Sequence, residues 1–218
     1  MPDNDPEITC LLRRVAAPLG LPISETQFWQ LATHFELLLR WNQKINLSAV
    51  RDPRRIAERH FEESLFLATL LPAPVGLMID VGSGAGFPGL PLKVVWPHVE
   101  TVLLEPNQKK ATFLKDVIRQ CGLQRASVST DRLEVAARGE LAGCAALVTM
   151  RAVAVAHADM ESLARLLGEN GQVALFLGEA DAERVAHDSS FRWLRMDVIP
   201  NSLRRVILTG TPASLQRQ

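Results

Sequence analysis

The chain has 218 residues, with 24 basic and 24 acidic side chains and a formal net charge of zero. That length suits one domain with a short extension, and its 47% hydrophobic content can bury a core without disulfide or metal staples. Neutrality argues against a global basic field holding nucleic acid, yet leaves room for a local basic face.

Cys10, Cys121 and Cys144 stand too far apart for metal-ligand spacing. Their odd number, with no signal-peptide pattern in the polar start MPDNDPE, points to a reducing cytoplasmic setting. No apolar run approaches the ~20 residues needed to span a bilayer, so no membrane contact is expected.

Residues 8–71 read as helices. Ser24 with Gln27 is a capping-box signal. Behind it Phe28, Leu31, Ala32, Phe35, Leu38 and Leu39 form one apolar helical stripe. The polar stretch WNQKINLSAVRDP follows, in which Asp52 and Pro53 suit the cap and first turn of another helix. Ala57, Phe61, Leu65 and Ala68 give its stripe. Strand-like runs then fall at 77–81, 101–105, 126–129, 145–149 and 172–177, with helical patterns between them. The clearest helix spans 108–121, with Gly122 as its stop. Short apolar strands alternating with helices predict an α/β fold around a parallel sheet covered on both faces. Two last runs, RWLRMDVIP and LRRVILT, predict a terminal hairpin. The chain thus divides into a helical extension over 1–71 and an α/β part over 72–218, expected to form one compact unit.

The sharpest feature is IDVGSGAGFPGLPLKVV (79–95). A strand ends at Asp80 and Val81, and Gly82, Gly84, Gly86 and Gly89 arrive before a helix. Glycines permit positive φ and close approach of backbone to ligand. Such a loop lies at the carboxyl edge of the sheet, where α/β proteins bind ligands. Glu105 ends the next strand 19 residues after Gly86, where a carboxylate can accept bonds from the ribose hydroxyls of an adenosine. Two cofactors compete. A dinucleotide wants G-x-G-x-x-G feeding directly into a helix. Here the spacing is G-x-G-x-G-x-x-G with Phe87 and Pro88 intervening. Asp80 at the loop start suits the cationic S-adenosylmethionine, directly or through water, and favours the methyl donor over NAD.

The chain resembles the bacterial 16S ribosomal RNA guanine-N7 methyltransferases, the glucose-inhibited division protein B family, over about residues 25–210. The resemblance rests on WNQKINLSAVRDP (41–53), HFEESL (60–65), DVGSGAGFPGLPL (80–92), the run from Glu105 to Leu114, and RAVA (151–154). It implies a Rossmann-like class I methyltransferase sheet, mostly parallel with an antiparallel terminal hairpin. It implies an enzyme that takes S-adenosylmethionine and methylates a guanine N7 in 16S ribosomal RNA, whether free or in the small ribosomal subunit. It places Gly82 and Phe87 in the cofactor loop, Glu105 on the ribose, Leu133 and Glu134 beside the adenine, and Arg151 near the methyl-donor pocket. Asn42, Asn46, Arg51 and His60 would face the pocket's mouth. The sequence departs from the family pattern at Glu63, usually Asp, and at Met150, usually Ser. It departs again at Leu177-Gly178, where Lys-Gly is common; the missing lysine bears on target affinity.

Neutral guanine N7 carries a lone pair and no proton, so no catalytic base is expected. Catalysis should rest on positioning, with Asn42, Asn46, Arg51 and Arg151 as candidates. Apart from the resemblance, His60 reads as a satisfied structural histidine, and Trp41 and Phe61 as core. Arg51, Arg54, Arg55 and Arg59, with Lys109, Lys110 and Lys115, could line an RNA-facing rim or be solvated helix faces. Arg204 and Arg205 could be edge-strand protection. The neutral chain is expected to act as a monomer on a preassembled particle. A methyltransferase for small molecules or proteins and a non-catalytic cofactor-binding module remain as alternatives.

Overall fold

The computed structural model describes residues 4–151, 156–202 and 204–213. Helices α1 (Pro6–Ala16) and α2 (Glu25–Asn42) open the fold. The Ser24 side chain accepts from the Gln27 amide, and Gln27 reaches back to the Ser24 N–H, so the capping box forms. Asp52 caps α3 (Pro53–Ile56) by accepting from the Arg55 amide. This helix widens into a π turn at Ala57–Glu62 and continues as α4 (Glu63–Leu70). Phe28, Leu31, Phe35, Phe61 and Leu65 share one hydrophobic core with Phe87, Leu90, Phe113 and Leu114 of the following α/β region.

From residue 77 the elements are β1 (Leu77–Val81), α5 (Gly89–Val95), β2 (Glu100–Leu104), α6 (Gln108–Gln120), β3 (Ala126–Ser129) and α7 (Leu133–Ala136). Then come β4 (Ala145–Arg151), α8 (His157–Leu166), β5 (Leu167–Gly178), α9 (Glu179–Val185), β6 (Phe191–Val198) and β7 (Arg205–Pro212). The seven strands lie in the order β3-β2-β1-β4-β5-β7-β6. The first five are parallel and β7 runs antiparallel to both its neighbours. The apolar residues of β1, β4, β5 and β7 alternate between two cores. Ile79, Val148, Leu175 and Leu208 face α8 and α9, while Met78, Leu147, Phe176 and Ile207 face the other side. The order reverses between β1 and β4, which opens a crevice at the carboxyl edge.

The predicted strands form, with β2 shifted by one residue, β4 two residues longer at its end and β5 longer at both ends. β5 begins five residues before the predicted 172: Leu167 pairs with Ala145, and Gly168–Gly171, a loop by composition, bulges out before Gln172 rejoins the ladder opposite Leu147. Residues 152–154 of the RAVA segment and residue 203 of the terminal hairpin lie outside the described residues. Among the described residues, no helix is long and apolar enough to cross a membrane.

Candidate active site

The glycine loop is fixed almost entirely by hydrogen bonds. Gly82, Gly84 and Gly86 take φ of 66°, 56° and 88°, a region where side chains are strained. The amides of Gly82 and Ser83 donate to the Leu104 carbonyl at 2.8 and 3.2 Å, hanging the loop on β2. Glu105 accepts from the Gly84 amide through Oε2 and from the Asn107 amide through Oε1, each at 2.8 Å. Its carboxylate therefore clasps the glycine loop to the β2–α6 turn. Asp80 is fully buried. Its Oδ1 accepts from the Thr149 hydroxyl at 2.7 Å, and burial pushes the carboxyl up to about 6. A Cβ on Gly89 would stand 2.6 Å from Leu103 and 2.7 Å from Asp80 Oδ2, so α5 seats against the strands only because that residue is glycine.

The crevice is a cavity of about 450 Å³ at the ends of β1, β2 and β4. Val81, Leu104, Pro106, Leu133 and Met150 form its apolar walls, and Gly82 opens onto it. Asn107, Arg132, Glu134 and Asp159 supply polar groups. Of the expected cofactor residues, Gly82, Leu133 and Glu134 line it. The others stand behind it. Asp80 points into the core, and Glu105 holds two backbone amides. Gly84 donates to that carboxylate. Gly86 packs so tightly that a Cβ would fall 2.3 Å from Leu90.

Phe87 lies between two histidine rings, His34 at 4.7 Å and His60 at 4.8 Å between centroids, both near-parallel to it. Phe61 meets it edge-on at 5.0 Å. Because an arginine can only donate, the Arg151 Nη1 to His60 Nδ1 bond of 2.9 Å fixes the tautomer. His60 Nε2 then donates to Ser48 Oγ at 2.8 Å, which also accepts from the Val50 amide. Burial foremost, then the charges of Arg151 and Arg59, pulls His60 down to about 2. Burial pulls His34, whose Nε2 donates to the Ala85 carbonyl, down to about 4. Both rings are neutral. Arg151 also donates to the Arg59 carbonyl at 3.2 Å and sits over Phe87. It touches the stack and not the crevice lining, and burial lowers it only to about 10, so it stays charged.

Asn42 braces its own loop, accepting from the Leu47 and Ser48 amides and donating to the Ser48 carbonyl. These bonds close the loop over residues 42–48. Asn46 and Arg51 are exposed, and Trp41 and Phe61 are core residues, Trp41 also donating to Asp116. His34 and the partners Ser48 and Thr149 escaped the sequence reading. His34 had a signal: it falls three residues after Leu31 and four before Leu38, on the buried stripe.

The model of the family described as rRNA small subunit methyltransferase G matches residues 27–202. The chain belongs to that family. It is 36% identical over 178 residues to ribosomal RNA small subunit methyltransferase G of Chloroflexus aggregans, covering 81% of this chain and 74% of that protein. It is 33% identical to the protein of the same name from Chromobacterium violaceum, covering 82% and 83%. Among solved structures it is similar to a SAM dependent methyltransferase from Aquifex aeolicus, with a TM-score of 0.59, 14% identity, and 74% and 94% of the two chains covered. It is also similar to magnesium protoporphyrin IX methyltransferase from Synechocystis PCC 6803 with bound SAM, with a TM-score of 0.60, 16% identity, and 83% and 97% covered. At these identities the structural likeness speaks for the fold.

Proposed function

We propose that this family member transfers a methyl group from S-adenosylmethionine to N7 of a guanine in small-subunit (16S) ribosomal RNA. Its membership of the family described as rRNA small subunit methyltransferase G supports the RNA and the methyl transfer, guanine N7 is what the sequence resemblance implies, and the crevice supplies a place for the cofactor. The residues fit the ligand. A Cβ on Gly82 would meet no protein atom within 4 Å, so the open space there is free for a ligand. Leu104, Leu133 and Pro106 offer apolar surface for an adenine, while Glu134 and Asp159 offer negative charge to a cationic ligand. An ionised carboxylate has about four lone-pair sites, so Glu105 could still receive a ribose hydroxyl while holding its two amides.

When bound, S-adenosylmethionine supplies an electrophilic methyl on a sulfonium centre. The chain's own task is then to hold and to exclude. The glycine loop fixes one wall of the crevice, and Met150 contributes a soft, water-excluding surface at the end of β4. Arg151, set by His60 and the Arg59 carbonyl, places a fixed positive charge beside the loop. No residue needs to remove a proton, because N7 presents a lone pair. We further read the protein as a cytoplasmic monomer. Residues 8–71 act as part of the same compact unit and not as a free appendage.

Incubation with methyl-labelled S-adenosylmethionine and small-subunit ribosomal RNA, followed by digestion to nucleosides, tests this. Labelled 7-methylguanosine is the expected product. Label in another nucleoside, or none in RNA, contradicts the reading.

A further inference from the structure

Beyond the carboxyl end of β5 lies a second and larger concavity, about 980 Å³. One wall is drawn from the segment between Ala49 and Glu63, including the π turn; the other is Pro200, Asn201 and Ser202 with Arg204 and Arg205. Every basic residue lining it is an arginine: Arg51, Arg55, Arg59, Arg204 and Arg205. Four acidic residues also line it, but three are engaged. Asp52 caps α3, Glu62 accepts from Asn201 at 2.9 Å, and Glu63 pairs with Arg205 at 3.1 Å. Among the described residues, Arg51, Arg55, Arg59 and Arg204 form no ion pair. Five guanidinium groups on two facing walls thus meet four carboxylates, of which, among the described residues, only Glu63 forms an ion pair, so a chain of zero net charge presents a small positive excess and four unpaired arginines here.

We propose that this cleft grips the phosphodiester backbone of the RNA on one side of the target nucleotide. Guanidinium forks match phosphate oxygens bidentately, which lysines do not. The cleft has about twice the volume of the crevice, and an extended strand laid between its two walls touches both. The π turn links it to the crevice. Arg59 faces the cleft while its carbonyl, with the ring of His60, receives Arg151, which covers Phe87 of the glycine loop. π turns gather at functional sites because the extra residue turns neighbouring side chains to different faces. Lys109, Lys110 and Lys115 sit instead on α6, outside the cleft lining.

This rests on the ribosomal RNA reading above, and the test separates the two. Arg51→Gln, Arg55→Gln and Arg204→Gln are made singly and together, leaving Arg59 and Arg205 to their contacts. Binding of small-subunit ribosomal RNA is measured against salt, and S-adenosylmethionine binding by calorimetry. Each phosphate contact contributes roughly 0.7–0.9 to the slope of log affinity against log salt. The triple variant should lose about 2 from that slope and bind the methyl donor as the wild type does. A triple variant with unchanged RNA affinity and slope overturns the cleft and leaves the enzyme reading intact. A wild type that neither binds nor methylates the RNA overturns both. A triple variant that loses the methyl donor equally assigns these arginines to the fold and overturns the cleft.

Discussion

The crevice beside Gly82 and the cleft beside Arg51 lie on the same edge of one sheet and differ in what holds their shape. The crevice combines apolar walls and backbone with four polar side chains, and its shape is held by residues behind it. Glu105 clasps two amides, Asp80 lies buried under α5, and two neutral histidines clamp Phe87. The cleft is made of exposed guanidinium groups on long side chains. The difference teaches what each can do. Preorganised backbone recognises one ligand shape and fails abruptly when one support is lost. A set of solvent-facing charges adds up contact by contact, and weakens under salt.

That contrast can be broken at several points. Gly82→Val should have the largest effect. A β-branched residue at φ of 66° is strained, and its methyls would enter the crevice. Calorimetry should find S-adenosylmethionine binding weaker by about 3 kcal/mol, roughly a hundredfold. Wild-type affinity would mean that the ligand lies elsewhere.

The histidine clamp should next show in stability against pH. His34 has its folded pKa lowered to about 4 from 6.5. The unfolded chain therefore binds the proton first, and the stability present above pH 6.5 is lost as pH falls toward 4. At about 1.4 kcal/mol per unit, this one group amounts to roughly 3 kcal/mol over that window. Denaturant midpoints for the wild type and His34→Leu should diverge in slope there, the variant being flatter. Parallel curves would deny the clamp its neutral histidine.

Glu105→Ala leaves the Gly84 and Asn107 amides without their acceptor, which costs about 1–3 kcal/mol in a buried setting. The expected result is a lower melting temperature together with roughly tenfold weaker cofactor binding. Loss of stability with untouched affinity would make Glu105 a brace only. Smallest of all, Arg51→Gln alone should raise the RNA KM severalfold with kcat unchanged. A collapse of kcat would place Arg51 at the reaction and dissolve the distinction between the two regions.

Much of this was legible in the residues. Local signals that are satisfied locally came through: the Ser24–Gln27 box, the Asp52–Pro53 helix start, the glycine run, and β1 and β3 at their predicted bounds. What composition does not carry is the direction in which a side chain points. Asp80 at a strand end reads as a ligand contact, but neighbouring strand residues face opposite ways, and Val81 has the crevice side. Asn42 in a polar segment reads as a target contact, whereas its amide closes the loop it belongs to. The π turn at Ala57–Glu62 leaves no compositional trace, because it is a change of hydrogen-bond register and not of residue type. The cleft itself joins residues 49–63 to residues 200–202, 204 and 205, a pairing that only the β6–β7 hairpin's place in the sheet creates.

The most direct test of the account is a titration of the wild-type protein with S-adenosylmethionine and, separately, with NAD. One saturable site for the methyl donor and no heat from the dinucleotide is the predicted result. A crevice that takes NAD, or ignores the methyl donor, would contradict it.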